Sequence, residues 1–337
     1  MIRIAILGAG NVGHALAALL GSRPVFDVKL WGRHVPSSAS LELHAFGSRG
    51  TYAVGCAMAE PSLRCAVEGA DIVVLTVPAH VRHSILEQIA RFLGSCALLL
   101  AWEGMGCFAE SLHALGIKGP AAVGLQRSPV ICRTRQPGRS VEILGVRSQV
   151  VAASVEPSDG RRAARLTECI FPFHFSYASE YACVSLSPGN PLTHSARLYS
   201  CANVGLERVS RRKRFYSDWD DLASQTLLDL HGEFARLRGV LGLPKKFMRT
   251  LVDDQETPSS AQVTRDIRSE FRLSEILLPL RMVRNRWQFD LRHRFFQEDL
   301  GEGLNHILRV AKERGVRLRT MEAIQDWYLR TEPPRGA

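Results

Sequence analysis
Apolar and polar positions along this chain follow two regimes. Up to about residue 186, short unbroken apolar runs alternate with stretches of helical spacing; beyond it helical spacing dominates. Residues 2–7 (IRIAIL), Asp27–Trp31, Ala70–Val77 and Ala97–Ala101 read as strands, most of them buried on both faces as in a parallel sheet. His14–Leu20 and Val81–Phe92 read as the helices between them. Ala121–Ser154 is strand-rich, with a turn at Gln136-Pro137-Gly138. The later segment predicts helices over Asp218–Leu241, Ser259–Glu270 and from near Glu298 to Glu313. Ser217 or Asp218 is available to cap the first, Gly242 and Pro244 close it, and Gly315 closes the last. The expectation is an α/β chain: a doubly wound sheet over 1–186, then a smaller all-helical domain over 187–337.

Glycine spacing sharpens the first half. Gly8-Ala9-Gly10-Asn11-Val12-Gly13 lies between the first strand and the first helix. In that context GxGxxG is the Rossmann turn: Gly8 allows the bend, Gly10 lets a pyrophosphate approach the backbone, and Gly13 lets helix and strand pack closely. A dinucleotide site of the NAD type would carry Asp or Glu at the end of the second strand. That slot holds Gly32, followed by Arg33, with Ser37 and Ser38 beyond, and no carboxylate appears until Glu42. A small residue followed by arginine leaves room for a 2′-phosphate and supplies its counter-charge. The expected cofactor is therefore NADPH, with NADH possible, held by Gly8, Gly10, Asn11, Val12, Gly13, Arg33, Ser37 and Pro78.

A second constellation lies past the sheet. Ser187–Tyr199 (SPGNPLTHSARLY) reads as a loop entering a helix, with Asn190 as cap and Pro191 at the first helical position. That register puts His194 beside the unpaired amides of the first turn, where the helix dipole favours a neutral ring suited to proton transfer. The same residues also fit a polar histidine at a helix start. Further on, Arg294 and Asp299 stand five apart, ahead of Gly301-Glu302-Gly303, and by spacing alone they fit an ion pair capping a helix equally well.

Bulk composition removes several function classes. The chain has 337 residues, 46% hydrophobic and 23% charged, and no apolar run long enough to span a bilayer. It begins directly in a strand, so a cytoplasmic location is the default expectation. Eight cysteines form no CxxC pair, which argues against a zinc knuckle or a disulfide framework. His80 and His83 stand three apart without a third ligand, and no metal site is expected. The net charge of +10 is mostly dispersed arginine, since six of the 43 basic residues are lysines. The one dense run, Arg211–Arg214, is read as a solvated loop, leaving neither nucleic acid nor membrane as an expected partner.

Taken together, these motifs resemble the opine dehydrogenase family, and within it the staphylopine and pseudopaline (opine metallophore) dehydrogenases. The matching segments are the glycine turn, Gly32-Arg33, Leu125–Pro129 with Arg133, Asn190–His194 continuing to Tyr199, Phe215–Trp219, and Arg294–Leu304. The resemblance implies that His194 and Asp299 form a catalytic dyad and that Arg294 contacts a keto acid. It implies an NADPH-preferring enzyme that reductively condenses pyruvate or 2-oxoglutarate with the amine of an amino-acid-derived intermediate, as a homodimer. The chemistry would then be assembled across an interdomain cleft near Trp102–Gly106. The chain is shorter than the resemblance suggests between Leu241 and Arg294 and after Tyr328, regions that would shape amine choice and dimerisation. Competing readings are a simpler amino-acid opine dehydrogenase, a ketopantoate reductase-like enzyme, and an inactive nucleotide-binding sensor. Ketopantoate reductases use a lysine as their acid, and no lysine lies between Lys118 and Lys213.

Overall fold
The structure, a computed structural model, describes residues 1–33, 35, 39–48, 50–205, 213–254 and 256–331. Ser37 and Ser38, together with Arg211 and Arg212 of the basic run, lie outside the described residues. The chain divides into two compact units, Met1–Ser185 and Leu186–Ala337.

The first unit is an 11-stranded sheet with helices. Its strands are β1 (Ile2–Leu7), β2 (Phe26–Trp31), β3 (Ala39–Gly47), β4 (Gly50–Ala59), β5 (Ile72–Leu75), β6 (Leu98–Ala101), β7 (Ala121–Leu125), β8 (Val130–Gln136), β9 (Ser140–Val146), β10 (Val150–Ser154) and β11 (Phe175–Ala178). Its helices are α1 (Asn11–Gly21), α2 (Leu63–Val67), α3 (Ala79–Ile89), α4 (Phe108–Ala114), α5 (Gly160–Ile170) and α6 (Ala182–Ser185). The order is β11-β10-β7-β6-β5-β1-β2-β4-β3-β9-β8, and the central run β4-β2-β1-β5-β6-β7 is parallel throughout. That run has the Rossmann order, and its direction of winding reverses between β1 and β5, where ligands bind in such sheets. Every residue of β5, β6 and β7 is buried, as their unbroken apolar runs require. By contrast β3 alternates buried and exposed positions along most of its length and pairs antiparallel with β4, a ribbon absent from the expected elements.

The second unit contains α7 (Asn190–Val204), α8 (Asp221–Val240), α9 (Ser260–Ser269), a hairpin of β12 (Leu280–Val283) and β13 (Arg286–Phe289), a π-helix (Phe295–Leu304), α10 (Asn305–Glu313) and α11 (Arg319–Thr331). Four expectations shift here, the first being that the β12–β13 hairpin interrupts a domain expected to be all-helical. Helix α7 starts at Asn190 with Gly189 as N-cap, so the Asn190 side chain does not cap it. The cap of α8 is Asp220, whose carboxylate accepts the Ala223 amide at 2.8 Å, because Asp218 is taken by the Arg214 amide and Ser217 by the Ser274 carbonyl. The helical stretch expected from near Glu298 to Glu313 opens earlier, at Phe295, and in π geometry, a widening often found at functional sites.

Candidate active site
In the first unit the glycine turn closes where β1 and β5 lie side by side. Gly8 has φ +125°, and a Cβ there would stand 2.5 Å from Thr76 Oγ1. Thr76 donates to the Gly8 carbonyl at 2.8 Å, tying the turn to the end of β5 and to Pro78, which starts α3. A Cβ at Gly13 would fall 1.8 Å from the Gly8 carbonyl oxygen, whereas Gly10 is exposed with nothing within 4 Å of its missing Cβ. The first turn of α1 carries no side-chain cap and no acidic residue. Open space beside uncapped amides fits a dinucleotide pyrophosphate.

The side chains of Asn11 and His14 anchor that turn from behind. Thr134 donates its amide to Asn11 Oδ1 at 2.8 Å, and Gly138 donates to His14 Nε2 at 2.8 Å. His14 therefore gives Nδ1–H to the Gly10 carbonyl at 2.9 Å. Burial pushes this imidazole below the usual histidine range, with the Gly10 bond opposing. Val12 is half-buried and packs on the core beneath the sheet. Gly32 follows β2 directly, and a Cβ there would lie 2.4 Å from the Cβ of Ala9 in the glycine turn. A carboxylate at this slot would collide with the turn. Arg33, the next residue, is exposed.

The loop after β6 is equally fixed. Arg82, buried on α3, donates to the carbonyls of Met105 at 3.0 Å and Glu103 at 2.6 Å. Tyr181 donates to the Gly104 carbonyl at 3.0 Å, and the Trp102 indole donates to Ser128 Oγ at 2.9 Å. Neither His14 nor Arg82 stood out in the sequence, although His14 adjoins the glycine motif.

In the second unit, His194 and Asp299 meet. His194 Nδ1 lies 2.6 Å from Asp299 Oδ2, and both side chains are buried, 2% and 4% exposed. A carboxylate at Nδ1 accepts a hydrogen bond from Nδ1–H, leaving Nε2 as acceptor, and the Tyr216 hydroxyl donates to it at 2.9 Å. The Phe295 ring lies 3.9 Å from the imidazole at 34°, and Phe215 meets its edge at 5.2 Å. Phe295 and Asp299 are four residues apart on the π-helix and so face His194 together. Arg294, just before Phe295, is exposed with its guanidinium 5.7 Å from the Phe295 ring centroid. Because α7 starts at Asn190, Thr193 already donates to the Gly189 carbonyl, and His194 lies past the unpaired amides. Its hydrogen-bond partners, not the helix terminus, orient the ring.

Tyr216 went unrecognised as a site residue. It sits in a loop that Arg197, fully buried and one turn beyond His194 on α7, holds by pairing with Asp220 at 2.5 Å and with the Asp218 carbonyl. Ser200 donates to Asp220 at 2.9 Å. Burial raises the Asp220 carboxyl, but the Ala223 amide, Arg197 and Ser200 outweigh it and leave the group below the usual range. A histidine held between a carboxylate and a phenol inside a buried aromatic shell can take up and return a proton while Asp299 balances the charge.

Comparison with known proteins bears on both units. Residues 177–330 match the family profile described as NAD/NADP octopine/nopaline dehydrogenase, alpha-helical domain. Residues 3–106 match that of the NAD-dependent glycerol-3-phosphate dehydrogenase N-terminus. Vitopine synthase of Allorhizobium ampelinum is 24% identical over 341 residues, covering 96% of this chain and 89% of its own. The structure of octopine dehydrogenase with NADH and pyruvate superposes with a TM-score of 0.77 at 19% identity, over 98% of this chain and 89% of that one. Yersinopine dehydrogenase with bound NADP+ gives 0.74 at 17% identity, over 98% and 90%.

Proposed function
Because the chain belongs to the opine dehydrogenase family, we propose that it condenses an α-keto acid with a primary amine and reduces the product at the expense of NADPH. The observation that carries this reading is the buried His194–Asp299 pair with Arg294 exposed one turn before the aspartate. Opine formation needs a cation for the keto-acid carboxylate, which Arg294 supplies as a planar fork. It also needs a proton carrier. Amine addition to the carbonyl leaves a proton on nitrogen that must reach oxygen, and a second proton must leave with that oxygen as water. His194 accepts and returns these protons, and Asp299 holds its tautomer and offsets the positive ring. Once bound, the reduced nicotinamide supplies the hydride that converts the imine to a secondary amine.

For the cofactor, Gly8, Gly10, Asn11, Val12, Gly13 and Pro78 form the cradle, and Arg33 pairs with the 2′-phosphate. The clash that a side chain at Gly32 would make, with Arg33 the next residue, supports NADPH over NADH. We assign the amine to an amino-acid-derived intermediate and the product to metal-chelating opines, on the resemblance to the metallophore dehydrogenases. Pyruvate, present in the octopine dehydrogenase structure, and 2-oxoglutarate are the expected keto acids. A homodimer in the cytoplasm completes the proposal; all eight cysteines are free thiols, which suits a reducing compartment. No helix among the described residues is long and apolar enough to cross a membrane.

The octopine dehydrogenase structure with NADH and L-arginine, similar to this chain with a TM-score of 0.77 at 18% identity, favours a second reading, in which the amine is a free amino acid. Product mass separates the two. Incubation with NADPH, pyruvate or 2-oxoglutarate, and a mixed panel of amino acids and aminobutanoate-extended amino acids should yield a secondary amine of the extended class. Products drawn only from free amino acids would establish the second reading.

A further inference from the structure
We propose that Tyr216 is the catalytic residue through which the His194–Asp299 pair exchanges protons with the substrate, an inference that rests on the condensation chemistry above. Both imidazole nitrogens are engaged, Nδ1 by Asp299 at 2.6 Å and Nε2 by Tyr216 at 2.9 Å. Phe295 covers the ring and Phe215 closes its edge. Among these four neighbours, Asp299, Phe215 and Phe295 are buried and Tyr216 is half-buried. Neither ring nitrogen is left open to a substrate, and the phenol is the outlet of the imidazole.

The surroundings of Tyr216 favour a fixed relay over a cover that swings away. Phe215 donates its amide to the Ile276 carbonyl at 2.6 Å, and Ser217 Oγ donates to the Ser274 carbonyl at 3.1 Å, so the backbone is tied on both sides. Trp219 stacks parallel to the Tyr216 ring, 6.4 Å between centroids and 8° between planes. The Trp219 indole is itself fixed to Ser224 Oγ at 2.9 Å, and Arg268 holds the Trp219 carbonyl at 2.7 Å. Arg197 binds the two aspartate positions that flank Trp219. A phenol clamped in this way is preorganised.

The proton count balances without a free tyrosinate. The adduct nitrogen gives its proton to the Tyr216 oxygen as the phenol proton moves to His194 Nε2, forming an imidazolium paired with Asp299. The reverse exchange delivers a proton through the phenol to the adduct oxygen. A second proton, taken up by the relay from solvent, follows the same route; the C–O bond breaks and the oxygen leaves as water. The nitrogen lone pair forms the C=N bond.

Tyr216→Phe keeps the ring and removes the hydroxyl. We expect kcat for amine-dependent NADPH oxidation to fall roughly ten- to a thousandfold, with the KM for keto acid within threefold and the unfolding midpoint unchanged. Solvent deuterium effects on kcat should be multi-proton in the wild type, with a curved proton inventory, and linear in the variant. Wild-type kcat in Tyr216→Phe, or an identical inventory in both, would overturn the relay while leaving the opine reading intact. A loss confined to KM would make Tyr216 a binding contact and overturn it too. Wild-type protein that reduces a keto acid without amine would overturn the opine reading alone, because carbonyl reduction also needs a proton on oxygen and the same comparison then tests the relay. A wild type inert with every pair would overturn both.

Discussion

His194 gives its Nδ1–H to Asp299 at 2.6 Å across 105 positions of sequence, and both side chains are buried. A buried carboxylate and imidazole joined in this way act as one unit. His194→Ala should lower kcat by roughly two to four orders of magnitude with NADPH affinity nearly unchanged, and Asp299→Asn should do likewise. The double variant should be little worse than either single one, since each leaves the other without a role. Steady-state kinetics with fluorescence titration of NADPH check this, and fully additive losses would count against it.

The proposed cofactor choice rests on Arg33 and on the close approach of Ala9 to Gly32. If Arg33 pairs with the 2′-phosphate as proposed, Arg33→Ala removes a charge-assisted contact of about 1.5–3 kcal/mol, so KM for NADPH should rise roughly ten- to a hundredfold while that for NADH barely moves. Equal changes with both cofactors would remove Arg33 from the 2′-phosphate site.

The acid sensitivity of the first unit should trace to His14. Its folded-state pKa is depressed by burial, so the unfolded chain binds the proton more tightly. That contribution is complete above about pH 6.5, the unfolded histidine value, and is lost as pH falls, by at most about 1.4 kcal/mol per pH unit. Urea unfolding at pH 7.5 and 5.5 should show a smaller decline in His14→Gln than in the wild type, although the variant starts less stable.

The helical unit depends on a pair far in sequence from the relay. Buried Arg238 pairs with half-buried Asp253 and also donates to the Met248 carbonyl at 2.8 Å, while Asp253 accepts the Thr250 amide at 2.6 Å. Arg238 holds the Asp253 carboxyl far below its usual range, with burial opposing, so this contribution persists above the carboxylate range and fades in acid. Arg238→Met removes the main partner of this carboxylate and should cost about 1.5–3 kcal/mol, lowering the melting temperature by about 3–12 °C. Calorimetry measures the shift, and a change under 1 °C would show that the pair contributes nothing net.

Local requirements were the legible part of this molecule. The glycine turn could be read because Gly8 and Gly13 answer to contacts within one β-α unit and its neighbouring strand. The helix carrying His194 could be read from proline and turn residues, although its start moved to Asn190 because Gly189 took the cap position. Its pairing with Asp299 came only through family resemblance, since spacing gave Arg294 and Asp299 no preference over a capping ion pair. Tyr216 had no local signal, because its role depends on a loop that Arg197 folds toward the preceding helix. The β3–β4 ribbon was missed for a different reason. In β4 the buried positions are the small Gly55, Ala57 and Ala59 and the larger Tyr52, Val54 and Met58 are exposed, so its apolar period is inverted and only its partner strand makes the alternation plain.

The central claim is that the chain reduces an imine it has itself assembled. Initial rates of NADPH oxidation with pyruvate or 2-oxoglutarate, with and without a panel of amines, measure this most directly. Oxidation that is negligible with keto acid alone and rises saturably with amine is the predicted result. Oxidation at the same rate without amine would mean simple carbonyl reduction and would contradict the account.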